Sequence, residues 1–559
     1  MSHSVVADET VVPEYDVLVI GAGFGGLRLL YELRGRGFSV RVLEAGSDVG
    51  GTWYWNRYPG ARTDSEAWVY CFSFDEKLQQ EWDWPARFPS QPEVHAYLRH
   101  VAERFDLRRD IELNTRVMAA DYDEASNRWR VTTEDGRRLQ CIFLVSATGN
   151  FSVPYDPPFP GRERFGGQII HSQRWPHVPV SLAGKRVGVI GTGATAVQII
   201  PEVAHTAAHL TVFQRTPTYV IPSRNHPLEA HQRAAIKANY DDIWKLCRRQ
   251  VFAFPIERSG RKIDNVTQEE HQRILEAGWE RGGFRFIFET LDDLTADAQS
   301  NAVAAEFVRN KIRTIVDDPA TAELLCPKDH PIGAKRIPLG HHYYETYNRP
   351  NVELVSVRDN PIQEFTARGV RLADGTEHEL DMLILALGFD AGTGALTNMG
   401  IRGRDGRCLD AEWASGARTY LGLAVEGYPN LFIMAGPHSP ILNFPVLIEH
   451  KAQWIGRTLE HLRAQGKDRI EPRPGTMERW SERLTTLFNA TLLPGAEAVG
   501  SYYVGANIPG KATGPLFYFG GAPKYFREID AAADSGYEGF SIDSHAPTAE
   551  AAVAAPRRG

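Results

Sequence analysis

The sequence predicts an α/β fold of two Rossmann-like dinucleotide-binding domains with a largely helical insertion in the second. Three observations carry this. Two glycine-rich turns, Gly21-Ala22-Gly23-Phe24-Gly25-Gly26 and Gly191-Thr192-Gly193-Ala194-Thr195-Ala196, each close an apolar run that reads as a strand, Tyr15–Ile20 and Arg186–Ile190. Each turn opens a stretch with helical character, clearest in Leu27, Leu29, Leu30 and Leu33 after the first. Between positions 225 and 320 charged and apolar residues interleave and β-rich runs are scarce, which reads as helix.

The elements follow in order. Phe38–Glu44 is the second strand of the first unit, and a loop dense in Gly, Trp and Tyr runs from Gly50 to Phe74. Residues 92–106 read as a helix and 129–149 as strands, the run Phe143–Val145 ending at Thr148 and Gly149. Proline-rich residues 153–160 mark a boundary. The second unit starts near Gly184, with Leu210–Gln214 as its second strand. Strands return at Val352–Val357, Val370–Leu372, Met382–Ala386 and Leu431–Ala435. The resulting division assigns 1–152 with 386–540 to one discontinuous domain, 153–224 with 325–385 to the other, and 225–324 to the insertion. Residues 1–14 are expected to be a loose leader, and the Ala- and Pro-rich stretch 541–559 a disordered tail.

Bulk properties exclude several classes. A chain of 559 residues exceeds one simple core, so two or three domains are expected. A net charge of -8 argues against nucleic acid or an anionic membrane as partner. Five cysteines with no CxxC pair disfavour a dithiol reductase, a disulfide scaffold and a clustered metal site, so no metal is expected. With no charged-then-apolar leader and no apolar run near the ~20 residues of a membrane helix, a cytoplasmic protein is expected.

The residues after each turn choose the nucleotides. Backbone N–H groups at a glycine turn and helix terminus suit a pyrophosphate. This makes Gly21, Gly23, Phe24 and Gly26 one binding turn, and Gly191, Thr192, Gly193, Ala194, Thr195 and Ala196, with Gln198 on the following helix, the other. Ala196 departs from glycine, but a methyl group still permits close helix–strand packing. Glu44, with Ala45 beside it, can accept hydrogen bonds from a bare ribose, which suits FAD. Arg215, with Thr216 beside it, favours a 2′-phosphate and hence NADPH, and Lys335 offers a second positive charge. A solvated strand-end arginine is the alternative for Arg215.

Longer patterns resemble the Baeyer–Villiger monooxygenases, flavoproteins that convert ketones to esters or lactones. The family pattern F-x-G-x-x-x-H-[ST]-x-x-W-P is met at Phe165, Gly167, His171, Ser172, Trp175 and Pro176, just before the second glycine turn. A second pattern is met by Gly51, Trp53, Tyr58, Pro59, Gly60 and Asp64, and a third stretch is Gly333-Ala334-Lys335-Arg336. The resemblance implies FAD and NADPH as cofactors, a small-molecule ketone and O2 as substrates, and oxygen insertion through a C4a-peroxyflavin. It places Arg336 over the flavin as the main catalytic cation and Asp64 as the acid that orients it. Without it, Asp64 reads as a loop cap. It adds Gly51, Thr52, Trp53, Tyr58, Tyr70, Val117, Thr148 and Gly149 to the expected cofactor contacts.

The same resemblance puts Phe165, Gly167, His171, Trp175 and Pro176 in a domain linker, with no general-base role for His171. Tyr502 stands where the family often carries a tryptophan near NADP. Asn507 and Lys511 are expected closure residues. Leu442, Asn443 and Phe444 are expected to line the ketone pocket, although ordinary core accounts for each equally well. A monomer or weak homo-oligomer is expected. The rival activity is N- or S-oxygenation by a flavin-containing monooxygenase, which uses the same two nucleotide units.

Overall fold

The computed structural model describes residues 12–545. Its first sheet grows around Glu14–Ile20, which pairs in parallel with Val40–Leu43 on one side and Arg138–Ser146 on the other. Val17, Leu18 and Val19 are fully buried because both faces of this strand are covered, as a parallel sheet requires. The sheet has eight strands. Ile401–Arg402, Val117–Asp123 and Arg128–Thr133 lead to Arg138–Ser146, then Glu14–Ile20, Val40–Leu43 and Ile111–Glu112, while Leu431–Ile433 also pairs with Arg138–Ser146. Helix Phe24–Gly35 buries Leu27, Leu29, Leu30 and Leu33 and packs against helix Phe444–Ala464.

The second sheet has five parallel strands in the order Val352–Ser356, His209–Gln214, Arg186–Ile190, Met382–Leu385 and Gln168–His171. The linker pattern therefore supplies an edge strand, and Trp175 is buried in the apolar cluster beside this sheet. Residues 230–325 hold six α-helices and a 3-10 turn, Ile263–Asn265. Their starts are written locally: Thr267 and Glu270 form a capping box, and Asp297 and Asp318 accept first-turn N–H bonds. Both sheets and the helical insertion thus follow the expected α/β plan.

Three expectations change. The tail does not begin at 541, because Phe540–Asp543 pairs antiparallel with Arg469–Pro472 and Phe540 is 1% exposed. The leader is shorter than 1–14, because Glu14 already pairs with Gln140; residues 1–11 and 546–559 lie outside the described residues. The loop Gly50–Phe74 contains two short helical turns, Thr52–Trp55 and Ala67–Val69. Among the described residues, no helix is long and apolar enough to cross a membrane.

Candidate active site between the two glycine turns

Both glycine turns open into one cavity of about 1130 Å³. In the first turn Gly21 has φ +103°, and a Cβ there would lie 2.9 Å from the Ala147 carbonyl oxygen. A Cβ on Gly51 would lie 2.8 Å from the Gly23 Cα, so glycine there lets these two segments approach. The helices after the turns start at Gly23 and Gly193, neither of which caps the helix with a side chain. Their first N–H groups are therefore free for an anion. Asn150 lines the cavity with both its amide atoms buried and unpartnered among protein groups. Open N–H termini, glycine clearance and an orphaned amide fit two dinucleotides.

At the centre, Arg336 Nη2 lies 2.5 Å from Asp64 Oδ2. The side chain of Asp64 is 6% exposed and that of Arg336 34%. Burial opposes the Arg336 charge, but Asp64, followed by Tyr502 and Tyr503, outweighs it and raises the guanidinium pKa further. Burial pushes the Asp64 carboxyl above the usual range while Arg336 pulls it back. Arg336 is thus a cation held in place by Asp64, with one face on the cavity.

The aromatic loop braces this pair. Trp53 Nε1 donates to the Tyr70 hydroxyl at 3.2 Å, and burial pushes the Tyr70 phenol up to about 12. Tyr58 donates to Gln198 Oε1 at 3.0 Å, and Gln198 Nε2 donates to the Arg62 carbonyl at 3.1 Å. The Asp64 loop is thereby tied to the helix of the second nucleotide unit.

On that side, Arg215 is exposed on the cavity wall and Thr192 Oγ1 donates to the Thr216 carbonyl at 2.9 Å. Burial lowers the Lys335 pKa to about 8, and Arg215 lowers it further within that value. Two cations joined to no carboxylate among the described residues suit an added anion. Tyr502 also lines the cavity, its ring edge-on to Phe151 with centroids 5.5 Å apart. Asn507 Nδ2 donates to the Phe389 carbonyl at 2.8 Å, and Lys511 pairs with Asp390.

The cavity gathers most of the expected residues: Gly23, Phe24, Gly51, Thr52, Trp53, Tyr58, Asp64, Tyr70, Thr148 and Gly149 on one side, and Gly191 to Thr195, Gln198, Arg215, Thr216, Lys335, Arg336 and Tyr502 on the other. Several expected contacts stand outside its lining. Gly21, Gly26 and Ala196 pack the turns from behind, a Cβ on Gly26 falling 1.8 Å from the Gly21 carbonyl oxygen. Glu44 spends its carboxylate on Ala22 N and Gly46 N, both at 2.7 Å, and burial raises its pKa against those bonds. Ala45 follows it half-buried, and Val117 packs in the core with Leu18, Leu43 and Trp129.

Leu442 and Phe444 line the cavity, but Asn443 does not. It precedes helix Phe444–Ala464 without capping it through its side chain, and its Nδ2 donates instead to the Val69 carbonyl at 2.7 Å, tying the helix start to the Gly50–Phe74 loop. His171 also lies off the cavity, with Nε2 2.7 Å from Arg162 Nη2 and 3.3 Å from Asp156 Oδ1. Phe165 is buried beside Phe365, and Gly167 is required because a Cβ would meet the Asp381 carbonyl oxygen at 2.5 Å. Pro176 ends the pattern half-buried.

Sequence reasoning missed the opposite wall: Phe252, Phe254, Phe284 and Phe288, all from the insertion. Phe252 and Phe288 stack with centroids 4.7 Å apart. Their close spacing in two short stretches was the available signal, but it is also what a buried helical core looks like.

Comparison with known proteins agrees with this geometry. A flavin-binding monooxygenase-like family model matches residues 14–228. The chain is 43% identical to a phenazine N-monooxygenase from Lysobacter antibioticus, over 95% of this chain and 97% of that one. It is 42% identical to a Baeyer–Villiger monooxygenase from Pseudooceanicola batsensis, over 96% and 97%. The NADP+-bound crystal structure of cyclohexanone monooxygenase from Rhodococcus sp. Phi1 superposes with a TM-score of 0.92 at 42% identity, covering 95% of this chain and all of that one. With both turns, the Asp64–Arg336 pair and near full-length identity in agreement, the chain belongs to the Baeyer–Villiger monooxygenase family of flavin-binding monooxygenases.

Proposed function

We propose that this protein is an FAD-containing, NADPH-dependent monooxygenase that inserts one oxygen atom of O2 beside a ketone carbonyl, giving an ester or lactone. The observation that carries the reading is the Asp64–Arg336 pair, set in the cavity that both glycine turns share. The flavin, once bound, supplies the redox and oxygen chemistry. The chain's part is to bind, orient and exclude water.

Gly23, Gly51 and the open N-terminus of helix Phe24–Gly35 would hold the FAD pyrophosphate. Gly193, Arg215 and Lys335 would hold NADPH, with the two cations on its 2′-phosphate. Arg336, its charge secured by Asp64, stabilises negative charge that develops on a substrate carbonyl oxygen. Leu442, Phe444 and the insertion's phenylalanines give an apolar wall that keeps bulk water from the reacting carbonyl. The division into an FAD domain (1–152 and 386–540), an NADP domain (153–224 and 325–385) and an insertion (225–324) belongs to this proposal, as do a cytoplasmic location and a monomeric or weakly associating state.

A panel of cyclic, linear and aryl ketones under isotopically labelled O2 tests the reading: one labelled oxygen in an ester or lactone is expected. Arg336→Ala should cut that product by about 10²- to 10³-fold, with FAD content retained; full-rate product from the variant would remove Arg336 from the centre of the mechanism. A second reading, N- or S-oxygenation, draws on the phenazine N-monooxygenase relative. Oxidation of aromatic N-heterocycles or amines with no ketone converted would put it first.

A further inference from the structure

We propose that Glu66, Arg87 and Arg285 form a positioning pin that fixes the spacing between the Asp64–Arg336 pair and the phenylalanine wall, and so places the substrate carbonyl. The inference rests on the ketone-oxidising reading above. Glu66 lies two residues beyond Asp64, its side chain 8% exposed. Its Oε1 accepts from Arg87 Nε at 3.0 Å and Nη2 at 2.8 Å, while Arg285 Nε stands 3.5 Å from the same atom. Its Oε2 is buried with no hydrogen-bond partner among the described residues.

Arg87 spends its other donors on two further segments. Nη1 donates to the Arg281 carbonyl at 2.8 Å and reaches the Ser223 carbonyl at 3.5 Å, and Nη2 reaches the Gly282 carbonyl at 3.5 Å. Its backbone N–H donates to the His226 carbonyl at 3.0 Å, and its carbonyl accepts from Ala67 N at 2.8 Å. One buried guanidinium thus joins the loop that carries Asp64 and Tyr70, the segment 222–226, and the helical hairpin 281–289, in which a Gly282-Gly283 turn links the end of helix Gln268–Arg281 to the one-turn helix Arg285–Phe288. That hairpin carries Phe284, Ile287 and Phe288, all on the cavity wall. Arg285, on the same hairpin, is shared between Glu66 and Glu289, and Glu289 also holds Arg281 at 2.8 Å.

Apolar packing would join these segments without the desolvation cost of a buried ion pair. What a planar guanidinium adds is direction, since its fork fixes both distance and angle to each acceptor. The pin also spans the two sides of the cavity that must meet a substrate from opposite directions. A misplacement of ~1 Å between reacting groups costs on the order of a hundredfold in rate. Neither Glu66 nor Arg87 lines the cavity, so they act through the Asp64 loop and residues 281–289.

The test uses flavin-loaded wild type, Glu66→Gln, Arg87→Lys and Arg285→Gln. Wild type is assayed first on the ketone panel; failure there defeats the functional reading and leaves the spacing of the wall to be read from N-oxygenation kinetics in the same variants. Where ketones turn over, Glu66→Gln and Arg87→Lys should keep flavin content and NADPH KM within about twofold while ketone KM rises roughly tenfold and product per NADPH consumed falls several-fold. Arg285→Gln, which removes only the outer arm, should move the same two quantities less. Unchanged ketone KM and product yield in the flavin-loaded variants would overturn the pin. So would equal losses of flavin, NADPH affinity and ketone turnover, which mark support of the fold alone. If Glu66→Gln fails to fold, Arg285→Gln decides: a selective rise in ketone KM supports the pin, and none overturns it.

Discussion

The first glycine turn is roofed by protein, whereas the second stands open. Gly50 N donates to the Ala22 carbonyl at 2.9 Å, and Gly51 comes so close that a Cβ on it would lie 2.8 Å from the Gly23 Cα. Glu44 straps the same turn from below through Ala22 N. At the second turn, nothing among the described residues lies within 4 Å of a Cβ placed on Gly193, and Arg215 is exposed. Both turns are close-packed beneath, where a Cβ on Gly191 would lie 2.5 Å from the Ala386 carbonyl oxygen, and they differ in the roof. A roofed turn suits a resident nucleotide and an open one suits a nucleotide that comes and goes, which matches FAD held through turnover and NADPH exchanged at each cycle.

The contrast is sharpest where helix meets strand. Gly26 leaves no room for a methyl group, whose carbon would sit 1.8 Å from the Gly21 carbonyl oxygen, whereas Ala196 at the matching position carries one and is fully buried. Because the obstacle at Gly21 is backbone, it cannot swing aside. Gly26→Ala should cost about 3 kcal/mol or more through overpacking and yield protein without bound flavin, read from visible absorbance per protein and from thermal melting. The mirror change, Ala196→Gly, should cost only about 1 kcal/mol and leave flavin content intact. A flavin-loaded Gly26→Ala protein would erase the difference in tightness between the two turns.

How much of this was legible depended on whether local sequence carries the cause. The strand–turn–helix units were legible because glycine clearance and apolar periodicity are local requirements, as at Gly21 and Leu27 to Leu33. Asp64 and Arg336, 272 residues apart, could be paired only through resemblance, because nothing local says which distant charge a loop aspartate will meet. Asn443 was misplaced because an asparagine ahead of Phe444 looks the same whether it faces a pocket or holds a helix start. The strand Phe540–Asp543 escaped because its partner, Arg469–Pro472, lies far away in the chain and the stretch that follows it is rich in Ala and Pro. The phenylalanine wall was hidden for a similar reason: whether Phe252 and Phe288 face a cavity or a core is decided by how the insertion docks.

The openness of the second turn makes coenzyme choice a matter of charge more than of fit. Arg215→Ala should raise the KM for NADPH by roughly 10- to 100-fold, the loss of a charge-assisted contact worth about 1.5–3 kcal/mol, and leave NADH use nearly unchanged. Steady-state kinetics with both coenzymes reads this directly. Equal losses with NADPH and NADH would mean that Arg215 shapes the turn and does not read the phosphate, and the second site would then resemble the first in being set by packing.

The same two cations give the open site a pH dependence of its own. Lys335 titrates near pH 8 in the free site, held down first by burial and then by Arg215. A phosphate dianion favours its charged form, so binding carries no proton cost below that value and requires proton uptake above it. NADPH affinity should be level from about pH 7 to 8 and then fall with rising pH, by at most about tenfold per unit. Titration calorimetry in buffers of different ionisation enthalpy should detect the proton taken up above pH 8. Lys335→Met should remove the break altogether. Arg215→Ala should move it to higher pH, because the like charge that helps depress Lys335 is gone. A break that stayed in place in Lys335→Met would assign the titration to another group and leave the two-cation account of the open turn without its second member.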